Sequence, residues 1–201
     1  MQSMFYYCIK LTSLDVSGFD TSKVTNMYQM FRGCSSLTSL TLPESFDTSS
    51  VTDMSWMFGG CSSLTSLTLP ESFDTSSVTD MSYMFYNCSG LTSLDVSGFN
   101  TSSVTYMQSM FMSCYALTTI YVSDLWSTEK VTSSSQMFYT CTALIGGAGT
   151  TFDSSHVDKT YAHVDGGTDN PGYFTYKAAP TSGGGGSQRP RIAERYVRGR
   201  R

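Results

Sequence analysis

The chain has 201 residues, of which only 14% are charged, so serine and threonine supply much of its polar surface. That charged fraction is well under the roughly 25% of an average globular protein, and no stretch approaches the roughly 18 apolar residues that span a membrane. Six arginines and one glutamate give residues 188–201 a net charge of +5, so residues 1–187 carry −9 of the overall −4, which disfavours nucleic acid as their partner.

A repeated phrase begins with the first residues of the chain. Six cysteines each end the phrase Met-Phe-x-x-Cys at spacings of 26, 27, 27, 26 and 27 residues: Cys8, Cys34, Cys61, Cys88, Cys114 and Cys141. An L-x-x-L-x-L segment follows each of the first five cysteines, as at Leu37, Leu40 and Leu42. This spacing and this period are typical of leucine-rich repeats. Residues 1–5 align with residues 107–111, inside a unit, so we expect the chain to be a fragment.

Two periodicities follow one another within each unit. The L-x-x-L-x-L segment predicts a short strand with Leu40 and Leu42 turned inward. Ser50 and Asp53 resemble a capping box, and the apolar spacing that follows predicts a helix with one buried face. The residues with that spacing are Val51, Met54, Met57, Phe58 and Cys61.

The predicted fold is a leucine-rich-repeat-like α/β solenoid of about six units. We expect one short parallel strand and one helix per unit, and a right-handed path from unit to unit. Residues 1–145 form this predicted solenoid and residues 146–177 a C-terminal, β-rich capping segment. Residues 178–201 are predicted to be a flexible Gly/Ser linker followed by an arginine-rich tail.

The repeated phrase M-F-x-x-C-x-x-L-T-S-L resembles the BspA-like leucine-rich-repeat family of bacterial surface proteins. The F-D-T-S-x-V-T-x-M stretches at 46–54 and 73–81 share this resemblance, and the run 146–174 resembles the closing segment of such arrays. The resemblance implies an extracellular or cell-surface adhesion or protein-binding module, although this chain shows no signal peptide. Its implied partner is a protein or glycan on a host or neighbouring cell, and it implies no enzyme and no cofactor. A structural spacer or stalk without a specific ligand is the alternative.

Three groups of polar residues suggest chemistry that we do not expect. Equivalent cysteines of adjacent units point in parallel, which predicts buried free thiols instead of disulfides or a zinc site. His156 and His163 lie among several aspartates, but a polar cap explains them more simply than a metal or hydrolase site. The column of Asp20, Asp47, Asp74 and Asn100 suggests turn residues more readily than calcium ligands. We therefore predict no catalytic, metal or cofactor residues.

Two almost identical repeats indicate where a partner would bind. Residues 34–60 and 61–87 differ only by Trp56 for Tyr83, Gly59 for Tyr86 and Gly60 for Asn87. On a helix these positions share one outward face, which is rich in aromatics, the residue type favoured in binding sites. The candidate contact residues are Trp56, Tyr83, Tyr86, Tyr6, Tyr7, Arg32 and Tyr139. The alternative site is the strand face, with Ser39, Thr41, Ser66, Thr68, Asp95 and Tyr121.

Overall fold

The computed structural model describes residues 1–180, so residues 181–201 of the predicted tail lie outside the described residues. Two 3-10 helices, Lys159–Tyr161 and Gly167–Asp169, occur in the described part, which contains no α-helix. No helix within residues 1–180 has the length and apolar character needed to cross a membrane. The strands in chain order are β1 (Ser39–Thr41), β2 (Ser66–Thr68), β3 (Ser93–Asp95), β4 (Thr119–Val122) and β5 (Phe174–Tyr176).

The strands form two separate parallel sheets. In the first sheet β1 pairs with β2 and Leu40 lies opposite Leu67. In the second sheet β3 pairs with β4, with Leu94 opposite Ile120, and β4 also pairs with β5. Strands β2 and β3 are not hydrogen-bonded, and a cavity of 240 Å³ lies at the break. The expected stack of one strand from every unit is therefore interrupted.

The segments predicted to be helices are successions of tight turns. Between residues 27 and 33, alternate backbone N–H groups donate to carbonyls of the next repeat, as from Met27 to Asp53 at 2.9 Å. The N–H groups between them close turns within the repeat, as from Met30 to Met27 at 3.1 Å. Residues 54–60, 81–87 and 107–113 follow the same pattern. We call these four stacked segments the turn ladder.

Backbone conformation explains why the helix prediction is wrong. The φ angles of Trp56 and Tyr83 are 60° and 59°, in the left-handed region that a right-handed α-helix excludes. Asp53 does not cap a helix, because its Oδ1 accepts the backbone N–H of Ser55 at 2.9 Å in a local turn. Three-residue turns repeat the apolar spacing that a helix would also produce. The leucine-rich-repeat solenoid with a helix in each unit is thus corrected to a stack of turns with short, interrupted parallel sheets.

A column of phenylalanines runs through the centre of the stack. The Phe58 ring lies 5.6 Å from that of Phe31 and 5.5 Å from that of Phe85, with nearly parallel planes. Met54 and Met57 beside the column are fully buried, so the thioethers fill the space between repeats. Each of these side chains is covered by its neighbours in adjacent repeats, and burial therefore depends on stacking.

Residues 146–177 cover the last repeat. Phe174 packs edge to face against Trp126, with ring centroids 5.0 Å apart. The carboxylate of Asp165 is buried there and accepts the backbone N–H of Thr150 at 2.9 Å and its hydroxyl at 2.7 Å. The segment holds one three-residue strand and two 3-10 helices, so the expected β-rich cap is instead built mainly from loops and turns.

Candidate functional site

The turn ladder brings five of the predicted contact residues together on the surface. We call them the Trp56 cluster: Tyr6, Arg32, Trp56, Tyr83 and Tyr86. The Trp56 and Tyr83 rings are stacked with centroids 4.3 Å apart and planes 9° apart, and the Tyr86 ring is tilted at 5.1 Å from Trp56. The guanidinium carbon of Arg32 lies 3.8 Å from the Trp56 ring centroid and 5.6 Å from that of Tyr6. The cluster is thus a continuous cation–aromatic stack across neighbouring repeats.

The backbone of the ladder produces this stack. Trp56 and Tyr83 occupy equivalent turn positions, and the backbone N–H of Trp56 donates to the carbonyl of Ser82 at 2.9 Å. Parallel hydrogen-bonded chains lie about 4.8 Å apart, which brings equivalent flat side chains close to stacking distance. The left-handed conformation costs a non-glycine residue roughly 1–2 kcal/mol. Aromatic stacking of about 0.5–1.5 kcal/mol offsets part of that cost.

Two of the three differences between the near-identical repeats follow from this geometry. A Cβ on Gly59 would lie 2.8 Å from the Trp56 ring, so the indole requires glycine there. Gly60 and Asn87 have φ angles of 79° and 52°, a region that glycine and asparagine tolerate better than other residues. The pattern of change therefore reflects turn geometry and contact with the indole.

A groove of about 400 Å³ runs beside the cluster. Its lining includes Arg32, Trp56 and Tyr86, together with Tyr7 and Ile9. Sequence reasoning missed Ile9, which is 52% exposed. Its signal was present, because the corresponding residue after the cysteine in the next three repeats is serine. Tyr139 is exposed two repeats beyond Tyr86 and does not line the groove.

The alternative strand face divides into two parts. Ser39, Thr41, Ser66 and Thr68 are exposed on β1 and β2. On β3 and β4, the ammonium of Lys177 forms an ion pair with Asp95 and lies 5.8 Å from the Tyr121 ring centroid. Lys177 therefore already occupies the part of this face that carries the charged and aromatic candidates.

Comparison with known protein families matches residues 1–92 and, in a second overlapping match, residues 63–170. The family is described as Mycoplasma protein of unknown function, DUF285. The chain belongs to the DUF285 family. No curated protein and no solved structure matches it. The match supports a repeat family but no leucine-rich-repeat assignment.

The cysteines of the DUF285 repeats are free thiols. Five are buried and Cys8 is exposed. Each buried thiol donates to a phenylalanine carbonyl of the preceding repeat, as from Cys61 to Phe31 at 3.1 Å. Burial raises the pKa of Cys61 to about 12, so the reactive thiolate is scarce at neutral pH. The cysteine column thus links repeats through S–H···O hydrogen bonds.

We expect a thiol reagent at neutral pH to modify one cysteine of the native protein rapidly, namely Cys8, because the other five thiols are buried. After denaturation without a reductant, all six should react. The measurement is a timed absorbance assay with mass spectrometry of the modified peptides, and Cys8→Ser is the control that should abolish the fast phase. Fewer than six reactive groups in the denatured wild type would reveal disulfides and contradict the expected result.

Ser155, His156 and Asp153 contact one another but lack the geometry of a catalytic triad. The Ser155 hydroxyl and the Asp153 Oδ2 both lie 3.1 Å from the same nitrogen, Nδ1 of His156. In a triad the serine and the carboxylate use opposite ring nitrogens. The ring also stacks on Tyr161 at 4.3 Å, while His163 Nδ1 lies 2.9 Å from the carbonyl of Val164. The two histidines therefore have separate local partners.

The aspartate column has local hydrogen-bond partners as well. Asp47 Oδ1 accepts the backbone N–H of Ser49 at 2.9 Å and the Ser49 hydroxyl at 2.7 Å, and Asp20 makes the equivalent pair of bonds with Ser22. Within residues 1–180, no three His, Cys, Asp or Glu side chains are grouped so that they could hold a metal ion. These side chains stabilise the turns that enter each ladder segment.

Proposed function

We propose that this protein is a binding module of a bacterial surface or secreted protein, and that the Trp56 cluster and its groove contact the partner. The observation that carries the proposal is the surface stack of Arg32, Trp56 and Tyr83 beside a 400 Å³ groove. Tryptophan, tyrosine and arginine are the residue types that contribute most to binding energy at protein interfaces.

The hydrogen-bonded backbone supports the same proposal. The cluster is held by the turn ladder, so its side chains are ordered before a partner arrives and lose little conformational freedom on binding. The resemblance of the Met-Phe-x-x-Cys phrase to BspA-like surface proteins supports a location outside the cell and a partner on another cell surface. The negative charge of residues 1–187 disfavours a nucleic-acid partner.

We expect the triple variant Trp56→Ser, Tyr83→Ser, Tyr86→Ser to remain folded but to bind cells at least about tenfold more weakly, because loss of one binding hot spot costs 2 kcal/mol or more. The measurement is flow cytometry of the fluorescently labelled full chain on a panel of cultured epithelial and bacterial cells. Tyr115→Ser is the matched control, because Tyr115 is 52% exposed and does not line the groove.

The strand-face variant Thr41→Ala, Thr68→Ala, Tyr121→Ala separates the two candidate surfaces. Loss of cell binding in that variant, with binding retained in the triple serine variant, would move the site to the strands. Absence of binding by the wild type to every cell in the panel would contradict the binding module and favour the spacer or stalk.

A further inference from the structure

The groove contains a cation without a counter-charge. Within residues 1–180 the ion pairs are Lys177 with Asp95 and His156 with Asp153, and no carboxylate pairs with Arg32. One flat side of the Arg32 guanidinium is stacked on Trp56. Stacking leaves the N–H groups at the edge of the guanidinium free to donate, and these match the two oxygens of a carboxylate.

The lining of the groove is otherwise apolar or neutral. Tyr7, Ile9, Trp56 and Tyr86 supply apolar surface, and neither aspartate nor glutamate is among the lining residues. A ligand group that reaches Arg32 is therefore both anionic and flanked by apolar groups.

The arrangement of Trp56 disfavours a sugar ring as that ligand. Arg32 comes from the repeat before Trp56 and Tyr83 from the repeat after it, so both faces of the indole are already covered. A sulfated polysaccharide is disfavoured as well, because residues 1–187 carry a net charge of −9 and the groove offers a single cation.

We infer that the groove binds a peptide segment in which one carboxylate, paired with Arg32, is flanked by apolar or aromatic side chains. This inference rests on the proposed binding function and names the chemistry of the partner. The guanidinium donates to the carboxylate oxygens, and the neighbouring peptide side chains pack between Tyr7, Ile9 and Tyr86. The charge-assisted hydrogen bonds stabilise the complex, and Trp56 holds the guanidinium in place.

A displayed library of random twelve-residue peptides tests the inference with the full chain. Peptides are selected on the wild type and depleted on Arg32→Gln, and the enriched sequences are synthesised with the acid and with the corresponding amide. We expect one Asp or Glu next to apolar residues, and about tenfold weaker binding of the amide, which corresponds to roughly 1.4 kcal/mol. On Arg32→Gln the acid and the amide should bind equally. Lys23→Gln, which removes the same charge at an exposed residue outside the groove, should behave like the wild type.

Other outcomes would overturn the inference. These are the absence of peptides that distinguish the wild type from Arg32→Gln, enriched peptides without an acid, and an amide that binds as well as the acid. Binding of heparin that depends on Arg32 would assign the groove to a sulfated glycan instead. If the inference fails while the triple serine variant still loses cell binding, the binding module stands and only the chemistry of its partner is wrong.

Discussion

Phe85→Ala is expected to lower the free energy of unfolding by about 3–5 kcal/mol, the usual cost of truncating a buried phenylalanine. Phe85 is fully buried and is stacked between Phe58 and Phe111, with centroids 5.5 Å and 5.8 Å away. The cavity would lie in the middle of the column, where it weakens contacts to the repeats on both sides. The measurement is thermal unfolding followed by circular dichroism, in which the midpoint should fall by about 10 °C.

Phe5→Ala provides the matched control in the same column. Phe5 is half-buried and stacks on Phe31 at 5.6 Å, so its truncation exposes less apolar surface to water and leaves the central contacts intact. We expect a clearly smaller shift of the midpoint. Equal shifts for the two variants would show that the central column does not couple the repeats.

Asp165→Asn is expected to destabilise the protein by about 3 kcal/mol, because loss of a buried charge leaves several hydrogen-bond donors without an acceptor. The Asp165 carboxylate accepts the backbone N–H groups of Ala148, Thr150 and Gly167, each at 2.9 Å. The amide that replaces it keeps one acceptor oxygen but directs its own N–H groups at backbone N–H groups. Unfolding in urea at pH 7 measures the difference.

The same carboxylate makes the cap sensitive to acid. Burial raises the pKa of Asp165, but the hydrogen bonds from Thr150, Gly167 and Ala148 outweigh burial and lower it to about 2. Because this folded-state pKa is below the ordinary value of 3.8, the stabilisation is complete above pH 4 and is lost as the pH falls from about 3.8 to about 2. Asp165→Asn should therefore lose less stability than the wild type over that range.

Asp153→Asn is the control for both measurements on Asp165. The hydrogen bond from the Ser155 backbone N–H contributes most to a pKa of about 2 for Asp153 too, but this carboxylate is exposed to water. We expect little change in stability at pH 7, because solvent replaces its hydrogen bonds. A loss as large as that of Asp165→Asn would mean that burial of the cap carboxylate is not what matters.

The residues of the candidate site could be found from the sequence more readily than their arrangement. The contrast between two near-identical repeats singled out Trp56, Tyr83 and Tyr86, and these three rings contact one another in the structure. The helical argument that selected them was wrong, since the positions belong to turns. The contacts of Arg32 with Trp56 and of Lys177 with Asp95 join residues 24 and 82 apart in the chain, which no local pattern reveals.

The sequence by itself determined the period of the repeats and the residues that form the core. Both follow from an apolar phrase that recurs every 26 or 27 residues and cannot be buried within one unit. Only the tertiary structure decided whether that phrase forms helices or turns, because apolar residues at intervals of three or four fit both. The backbone N–H of Phe58 donates to Met84 of the next repeat at 3.0 Å, and a helix would have used that donor within its own segment. Because this acceptor lies in another repeat, the local sequence does not contain the information that favours turns.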